Sequence, residues 1–477
     1  MNLGVQSFPD LFPRMAKSSA DRRSLLLAYV GIAFCVAHIP LALVLYRFNS
    51  LSTLHGLAVL AVGACLAIFA PRHPQRTACA AAYIMGAEVL WRMTNSQVFW
   101  EFGKYASATV FMLSILRRGQ LKGPGLIFGY FVLLIPSVAV IIERAGLAGA
   151  QGYISFNLSG PLSLFVAAWF FSQLRLSVSQ VQGIFLAAIG PILGIASISF
   201  FSISAAEDLR FGSESNFVAS GGFGPNQVSA ALGLGVLLAL LFVLIGKQSG
   251  VLRAFLLAAM FLMGVQSALT FSRGGLYNAA GAVVLASLYL MRHHRTRRNL
   301  VLLAVVVVLV GNFLILPQLD QLTGGTLRAR FSETNTTNRI TIISEQVRVW
   351  WEHPILGVGP GGSKLVGAGA AHTEFARLLA EHGVFGLVAA LLLWWLAFKS
   401  IRNAKTPRGK ALAVALIGWS FLFMLNAAMR LAAPGIMFGI AMATVIPAKV
   451  DFRDLIARAR RILLLRQVMR ERRTVAG

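Results

Sequence analysis

Charge is sparse and one-sided in this chain. Only 13% of the 477 residues are charged, and 17 Asp and Glu stand against 43 Lys and Arg. Soluble globular domains carry about 25% charged residues, so a water-exposed globule is excluded as the form of the whole chain. Cysteine is scarcer still. Cys35, Cys65 and Cys79 all fall in or beside apolar runs, and none belongs to a C-x-x-C or a His/Cys pair. Neither a disulfide framework nor a zinc site is implied. No internal repeat is strong enough to use. No Ala-x-Ala pattern follows the first apolar run, which therefore reads as a retained anchor rather than a cleaved signal.

Apolar residues make up 57% of the chain. Runs such as Val301–Leu316 and Val228–Gly246 approach the roughly 20 residues that cross a bilayer as a helix. They are continuous rather than alternating, which favours helices over a β-barrel. The expected fold is all-α: a polytopic helical membrane protein with about 12–14 transmembrane helices. Apolar spans fall at roughly 24–46, 51–70, 77–94, 98–116, 125–143, 161–175, 181–205, 227–246, 253–271, 275–291, 299–316, 384–398, 411–429 and 434–448, by the ~19-residue window logic.

The formal net charge of +26 would suit nucleic acid. Its distribution speaks against that partner. Alternate connectors carry most of the basic residues, among them "RMAKSSADRR", "RRGQLK", "RHHRTRR" and "KSIRNAKTPRGK". This is the positive-inside bias, and it puts both termini in the cytoplasm. The basic excess then marks topology and an attraction to anionic lipid heads. The resulting division is a cytoplasmic segment 1–23, transmembrane helices over 24–316 with an outward loop at 206–226, a large outward loop at 317–383, transmembrane helices over 384–448, and a basic cytoplasmic tail 449–477.

The large loop has internal order. In "NRITIISEQVRVWWEHP", Ile340, Ile343, Val347, Trp350 and Trp351 form one stripe at helical spacing, Asn338 can cap the start, and Pro354 stops it. Such a helix suits the outer bilayer surface. A turn-rich "ILGVGPGG" follows, then "AHTEFARLLAEHGVFGLV", a second short helix ended by Gly383. On it Glu374, Arg377 and Glu381 share one face, and His372 stands at the start.

The cations outside the cytoplasmic connectors are Arg47, Arg92, Lys104, Arg144, Arg210, Arg273, Arg328, Arg330, Arg339, Arg348, Lys364, Arg377 and Arg430. Two readings fit them. One is snorkelling and local ion pairs, such as Glu88 with Arg92 or Arg377 with Glu381, worth only about a few tenths of a kcal/mol each. The other is a cationic cup for a phosphorylated lipid head, since arginine matches phosphate oxygens in a bidentate way. Arg273, followed by Gly274 and Gly275, and Arg210 fit the cup best, because each lies in or beside a glycine-bearing outward turn. His38, His55, His73, His293 and His294 carry no supported role.

In order and spacing, "GGFGPNQ", "TFSRGG", "HPILGVGPGG" and "HTEFARLLAEHGVFG" resemble the bacterial O-antigen ligase and polymerase superfamily over about Gly221–Gly386. Ligases of that family carry His-(Asn/Ser/Gln)-x9-Gly-x-x-Gly in a large periplasmic loop. Here His372, Thr373, Gly383 and Gly386 give H-T-x9-G-x-x-G. The resemblance implies a periplasm-facing glycosyltransferase of the bacterial inner membrane. Its donor would be a glycan on undecaprenyl pyrophosphate. Its acceptor would be lipid A–core for a ligase, or another lipid-linked glycan for a polymerase. Membrane lipids are its other partners, and no metal, nucleotide sugar or other cofactor is implied. On this reading Arg210, Arg273 and Arg339 clamp the pyrophosphate, and His372, with Glu374 as competitor, accepts the proton of the attacking hydroxyl. The rival from another class is a transporter of a lipid-linked glycan or small solute, suggested by Glu88, Glu101 and Lys104 within spans.

Overall fold

A computed structural model of the chain describes residues 19–119, 123–206, 211–212, 214–291, 297–298, 301–302, 305, 309, 311–332, 339–369 and 371–446. It is a helical bundle. Among the described residues, eight helices are long and apolar enough to cross a membrane. They are α1 (Ser19–Arg47, apolar from Leu25), α2 (Asn49–Phe69), α6 (Val138–Ser172), α7 (Val178–Ser204), α8 (Pro225–Ile245), α9 (Gly250–Leu269), α14 (Glu374–Asn403) and α15 (Pro407–Ala427). Beside them pack α3 (Pro74–Met93), α4 (Phe102–Arg118), the seven-residue α5 (Leu126–Val132), and two shorter apolar helices, α10 (Gly274–Leu290) and α16 (Ala433–Met442). The expected span 299–316 is described only in part, and most of segment 1–23 and all of tail 449–477 fall outside the described residues.

α7 lies at the centre, packed against α1, α3 and α8. Its small residues allow this. A side chain at Gly86 of α3 would collide with Ala188 and Pro191 of α7, so these backbones meet almost directly. One large buried core runs through the bundle, with three smaller clusters separate from it.

Two details depart from the sequence reading. The spans expected at 125–143 and 161–175, with a connector between them, are instead the short α5, a turn through Pro136, and one long α6 kinked at Gly146 (φ 69, ψ 164). Glu143, Arg144 and Gln151 lower the hydropathy on either side of that break, and the chain returns to helix directly after Gly146. The span expected to reach 448 ends at Met442, and Thr444–Ile446 pairs in parallel with Arg175–Ser177 as a two-stranded sheet. Thr444, Val445 and Ile446 are β-branched, which favours the extended form.

The large loop carries α11 (Leu316–Thr323), α12 (Thr326–Ser332) and α13 (Arg339–Glu352). α13 matches the expected surface helix to within two residues, although Asn338, its expected cap, lies outside the described residues. Ile340 and Trp351 on its stripe are 65% and 71% exposed, as a helix lying on a bilayer requires. Its opposite face is pinned: the Gln346 amide donates to the Ala368 carbonyl (3.2 Å) and accepts from the Ser363 hydroxyl (3.0 Å).

A polar chain joins α1, α2 and α3. Trp91 Nε1 donates to His55 Nδ1 (2.9 Å), and His55 Nε2 and His38 Nε2 each lie 2.9 Å from the Tyr83 hydroxyl. His38 Nδ1 lies 2.7 Å from the Phe34 carbonyl. The end groups fix the tautomers, since an indole N–H can only donate and a carbonyl can only accept. His55 is neutral and donates to Tyr83. Tyr83 donates to His38, which is neutral and donates to Phe34. Tyr83→Phe strands both imidazoles and is expected to cost about 1–3 kcal/mol per unsatisfied group, read as a lower thermal midpoint in detergent. An unchanged midpoint would refute this wiring.

Candidate functional site

At the end of the bundle that carries the long loop, α14 begins with a buried ionic triad. Arg377 Nε donates to Glu374 Oε2 (3.0 Å), Nη2 to Glu374 Oε1 (2.5 Å) and Nη1 to Glu381 Oε2 (3.0 Å). Glu374, Arg377 and Glu381 are 0%, 5% and 3% exposed. The spacing i, i+3, i+7 places all three on one helical face. The sequence reading took Arg377 and Glu381 as a surface pair. The pair is present but buried, because that face is roofed by neighbouring segments: Met429 N–H donates to Glu374 Oε2 (3.2 Å), and Gly361 N–H donates to the Glu381 carboxylate.

The helix breaks where expected. Gly383 has φ 59 and ψ −138, a conformation closed to other residues, and a side chain there would strike the Pro354–Ile355 turn. Three residues later Gly386 touches the Leu378 carbonyl so closely that no Cβ fits. These glycines fold the helical start of α14 back over its membrane part. Gly275 serves a similar close approach at α10, against Ser229 of α8, while Gly274 lies beside Asn426.

A second buried pair faces the first. Glu88 binds Arg92 (2.6 Å) and accepts from Ala432 N–H (2.7 Å). Arg92 also donates to the Gln227 side chain and to the Trp100 carbonyl (2.9 Å), and its guanidinium lies 4.6 Å from the centre of the Trp100 ring. Between the two pairs opens a cleft of about 280 Å³, lined by Trp100, Phe156, Gln227, Lys364, Arg377 and Arg430, among others. Lys364 Nζ lies 6.0 Å from the centre of the Phe156 ring, and Lys104 Nζ approaches the same ring at 5.3 Å. Lys104 is 1% exposed.

Lys364, Arg377, Arg430 and Glu381 line this cleft, and Arg92, Lys104, Glu88 and Glu374 stand behind its lining residues. Arg92 and Arg377 have acidic partners. Lys104, Lys364 and Arg430 make no ion pair among the described residues. Arg430 donates to the Ala371 carbonyl (3.4 Å), and burial pushes its guanidinium below the ordinary value. It follows Ala428, whose φ of 49 and ψ of −165 are strained for a residue with a Cβ. Among the described residues no group of three or more His, Cys, Asp and Glu is placed to hold a metal ion.

His372 is half-buried at the mouth of the cleft, between Ala371, which lines it, and Thr373, the cap residue of α14. Glu374 lies inside, saturated by Arg377 and Met429. Arg273 stands one layer away: its Nη1 reaches the Arg330 carbonyl (3.4 Å), and the neighbouring Gly274 abuts Asn426 on the strand of chain leading to Arg430. The "GPNQ" turn links the two places, since Asn226 accepts from Ser272 (2.7 Å) while Gln227 holds Arg92. Arg210 lies outside the described residues, as does the side chain of Arg339. The sequence places Lys104, Lys364 and Arg430 among the outward cations, with Lys104 in the transporter reading and Arg430 at the end of a span, but assigns none of them to the pyrophosphate clamp. The legible signal was Arg430 at the end of an apolar span with no carboxylate one helical turn away, whereas Lys104 has Glu101 three residues before it.

These features define a multi-pass helical membrane protein with a cationic cleft at one end. Residues 258–391 match a family model described as O-antigen ligase. The match runs from α9 through the long loop to the middle of α14, and it supports the O-antigen ligase and polymerase superfamily. No curated protein matches the chain.

Proposed function

We propose that this protein is a periplasm-facing glycosyltransferase of the bacterial inner membrane. It moves a glycan from undecaprenyl pyrophosphate to a sugar hydroxyl, with lipid A–core of lipopolysaccharide as acceptor. The observation that carries this reading is that Lys364 and Arg430 line a cleft beside the family-matched loop, with Lys104 behind the Phe156 ring, and none of the three forms an ion pair among the described residues. Lys104 is buried and Arg430 half-buried, while Lys364 is exposed. A cation withdrawn from water without a partner is costly, and a pyrophosphate would offset that cost.

The acceptor oxygen attacks the anomeric carbon. The bond from that carbon to the phosphate oxygen breaks, and the pyrophosphate leaves with the electron pair. Lysine and arginine donors around it stabilise the charge that develops. The hydroxyl proton goes to His372, an imidazole able to accept it near neutral pH. Of the two acid–base candidates, the geometry favours His372. Both Glu374 oxygens already accept hydrogen bonds, which suits a positioning role for Arg377 and for the Met429–Arg430 turn. Arg273 flanks the same turn and remains a candidate for the clamp, with Arg210 and Arg339.

His372→Ala is expected to lower transfer by about 10²–10⁴-fold, the usual range for a lost general base, with membrane-inserted protein undiminished. Full transfer by this variant would remove His372 from the reaction. The function itself is tested by reconstitution in EDTA with polyprenyl-pyrophosphate-linked oligosaccharide, with and without lipid A–core. Product on lipid A–core marks a ligase. A ladder without acceptor marks a polymerase, the reading that Thr373 favours by standing where the ligase motif has an amide or serine. No product from folded protein would favour transport.

A further inference from the structure

A second cavity lies at the opposite end of the bundle and takes no part in the proposed transfer. It measures about 320 Å³ and opens among α5, α6, α14, α15, α16 and the strand Thr444–Ile446. This falls within the range of ligand pockets, roughly 300–1,000 Å³. Its inner wall is apolar, with Leu396, Leu412, Leu416 and Ile440. Its rim carries Lys399 and Lys405, both exposed.

Neither lysine forms an ion pair among the described residues. The described parts of the connectors at this end, within 117–125, 172–178, 246–250 and 403–407, contain no Asp or Glu. The cavity thus joins an apolar interior to a cationic rim that no carboxylate among the described residues compensates. A free inorganic anion would satisfy the rim but not the wall. A zwitterionic lipid would fill the wall but bring its own cation to the rim. An anionic amphiphile satisfies both, and basic pockets between transmembrane helices are known to take such head groups.

We propose that this cavity is a binding site for an anionic phospholipid of the adjoining leaflet. The phosphate lies between Lys399 and Lys405, and an acyl chain runs against Leu412 and Leu416. Occupancy ties the ends of α14, α15 and α16 together at the foot of the helix whose other end carries the ionic triad.

The test is native mass spectrometry of the full-length protein in detergent, titrated with phosphatidylglycerol, with phosphatidylcholine, and with glycerol phosphate as competitor. The double variant Lys399→Ala/Lys405→Ala is compared with Arg402→Ala/Arg408→Ala. The second pair removes the same charge from exposed positions that do not line the cavity. Wild-type protein is expected to retain phosphatidylglycerol over phosphatidylcholine, with no displacement by glycerol phosphate. Each basic residue near an anionic head group is worth roughly fivefold, so the lysine pair is expected to weaken retention by about 25-fold and the arginine pair by less than about twofold. Leu412→Trp, which fills the wall and leaves both lysines, is expected to lose the lipid as well. Equal loss in the two double variants would overturn the proposal in favour of diffuse surface charge. Equal retention of phosphatidylcholine would overturn it in favour of a merely apolar crevice, and displacement by glycerol phosphate in favour of a soluble-anion site. None of these outcomes bears on glycan transfer at the other end, so the two readings fail separately.

Discussion

Arg377→Met is expected to destabilise the protein by about 3–5 kcal/mol, the cost of removing one partner from a buried ionic group. Most of that cost comes from what remains. Glu374 and Glu381 would face each other in a site that excludes water, each having lost its strongest hydrogen bonds. The damage would spread through Glu374, because the same carboxylate holds the Met429 N–H and with it the turn that carries Arg430. Yield of monodisperse protein and its thermal midpoint in detergent read the effect. The triple variant Arg377→Met/Glu374→Gln/Glu381→Gln separates stability from function. With the charges gone, most of the lost stability is expected to return, since neutral replacements of a buried ion group are often tolerated. Transfer is expected to stay absent. A single variant as stable as wild type would show that the triad does not hold the start of α14.

The contrast between what was legible in the sequence and what was not follows chain distance. α13 was readable because its stripe and its stop at Pro354 are local signals, and the break at Gly383 was readable because only glycine permits that turn. The pairs Glu88–Arg92 and Arg377–Glu381 were readable as pairs, since four residues on a helix fix their meeting. Their burial was not, because the segments that cover them come from elsewhere in the chain. Ala432, which caps Glu88, is 344 positions away. The same holds for Lys104 and Lys364, which meet only across the Phe156 ring. The His38–Tyr83–His55–Trp91 chain shows the limit most plainly. Three helices each supply polar groups that look isolated in sequence, and only their packing makes every donor and acceptor pair. At α6 the dip in hydropathy around Glu143 and Arg144 does mark a break, at Gly146, but the helix resumes at once, so the connector expected up to residue 160 is helical.

Arg430→Gln is expected to lower glycan transfer by about 10²–10³-fold, the cost of losing one preorganised donor to a developing oxyanion, while leaving the protein as stable as wild type or more so. The two halves of that expectation have one cause. Burial holds the Arg430 guanidinium below its ordinary value, which marks a charge that the fold carries at a cost. No carboxylate among the described residues offsets it, and its one described hydrogen bond, to the Ala371 carbonyl at 3.4 Å, is long. The preceding Ala428 adds backbone strain of about 1–3 kcal/mol. A neutral amide of similar reach relieves the charge and can keep the contact with Ala371. A residue retained for folding alone would behave in the opposite way, losing stability first and activity only as a consequence. Arg273→Ala belongs in the same assay, because Arg273 sits across the Asn426–Arg430 segment and competes for the same role. Loss of transfer in both variants with melting midpoints preserved would make the clamp two-sided. Full transfer by Arg273→Ala beside an inactive Arg430→Gln would confine it to the cleft. Full transfer by Arg430→Gln would return the clamp to the turn at Arg273 and leave the buried charge of Arg430 without a catalytic reason.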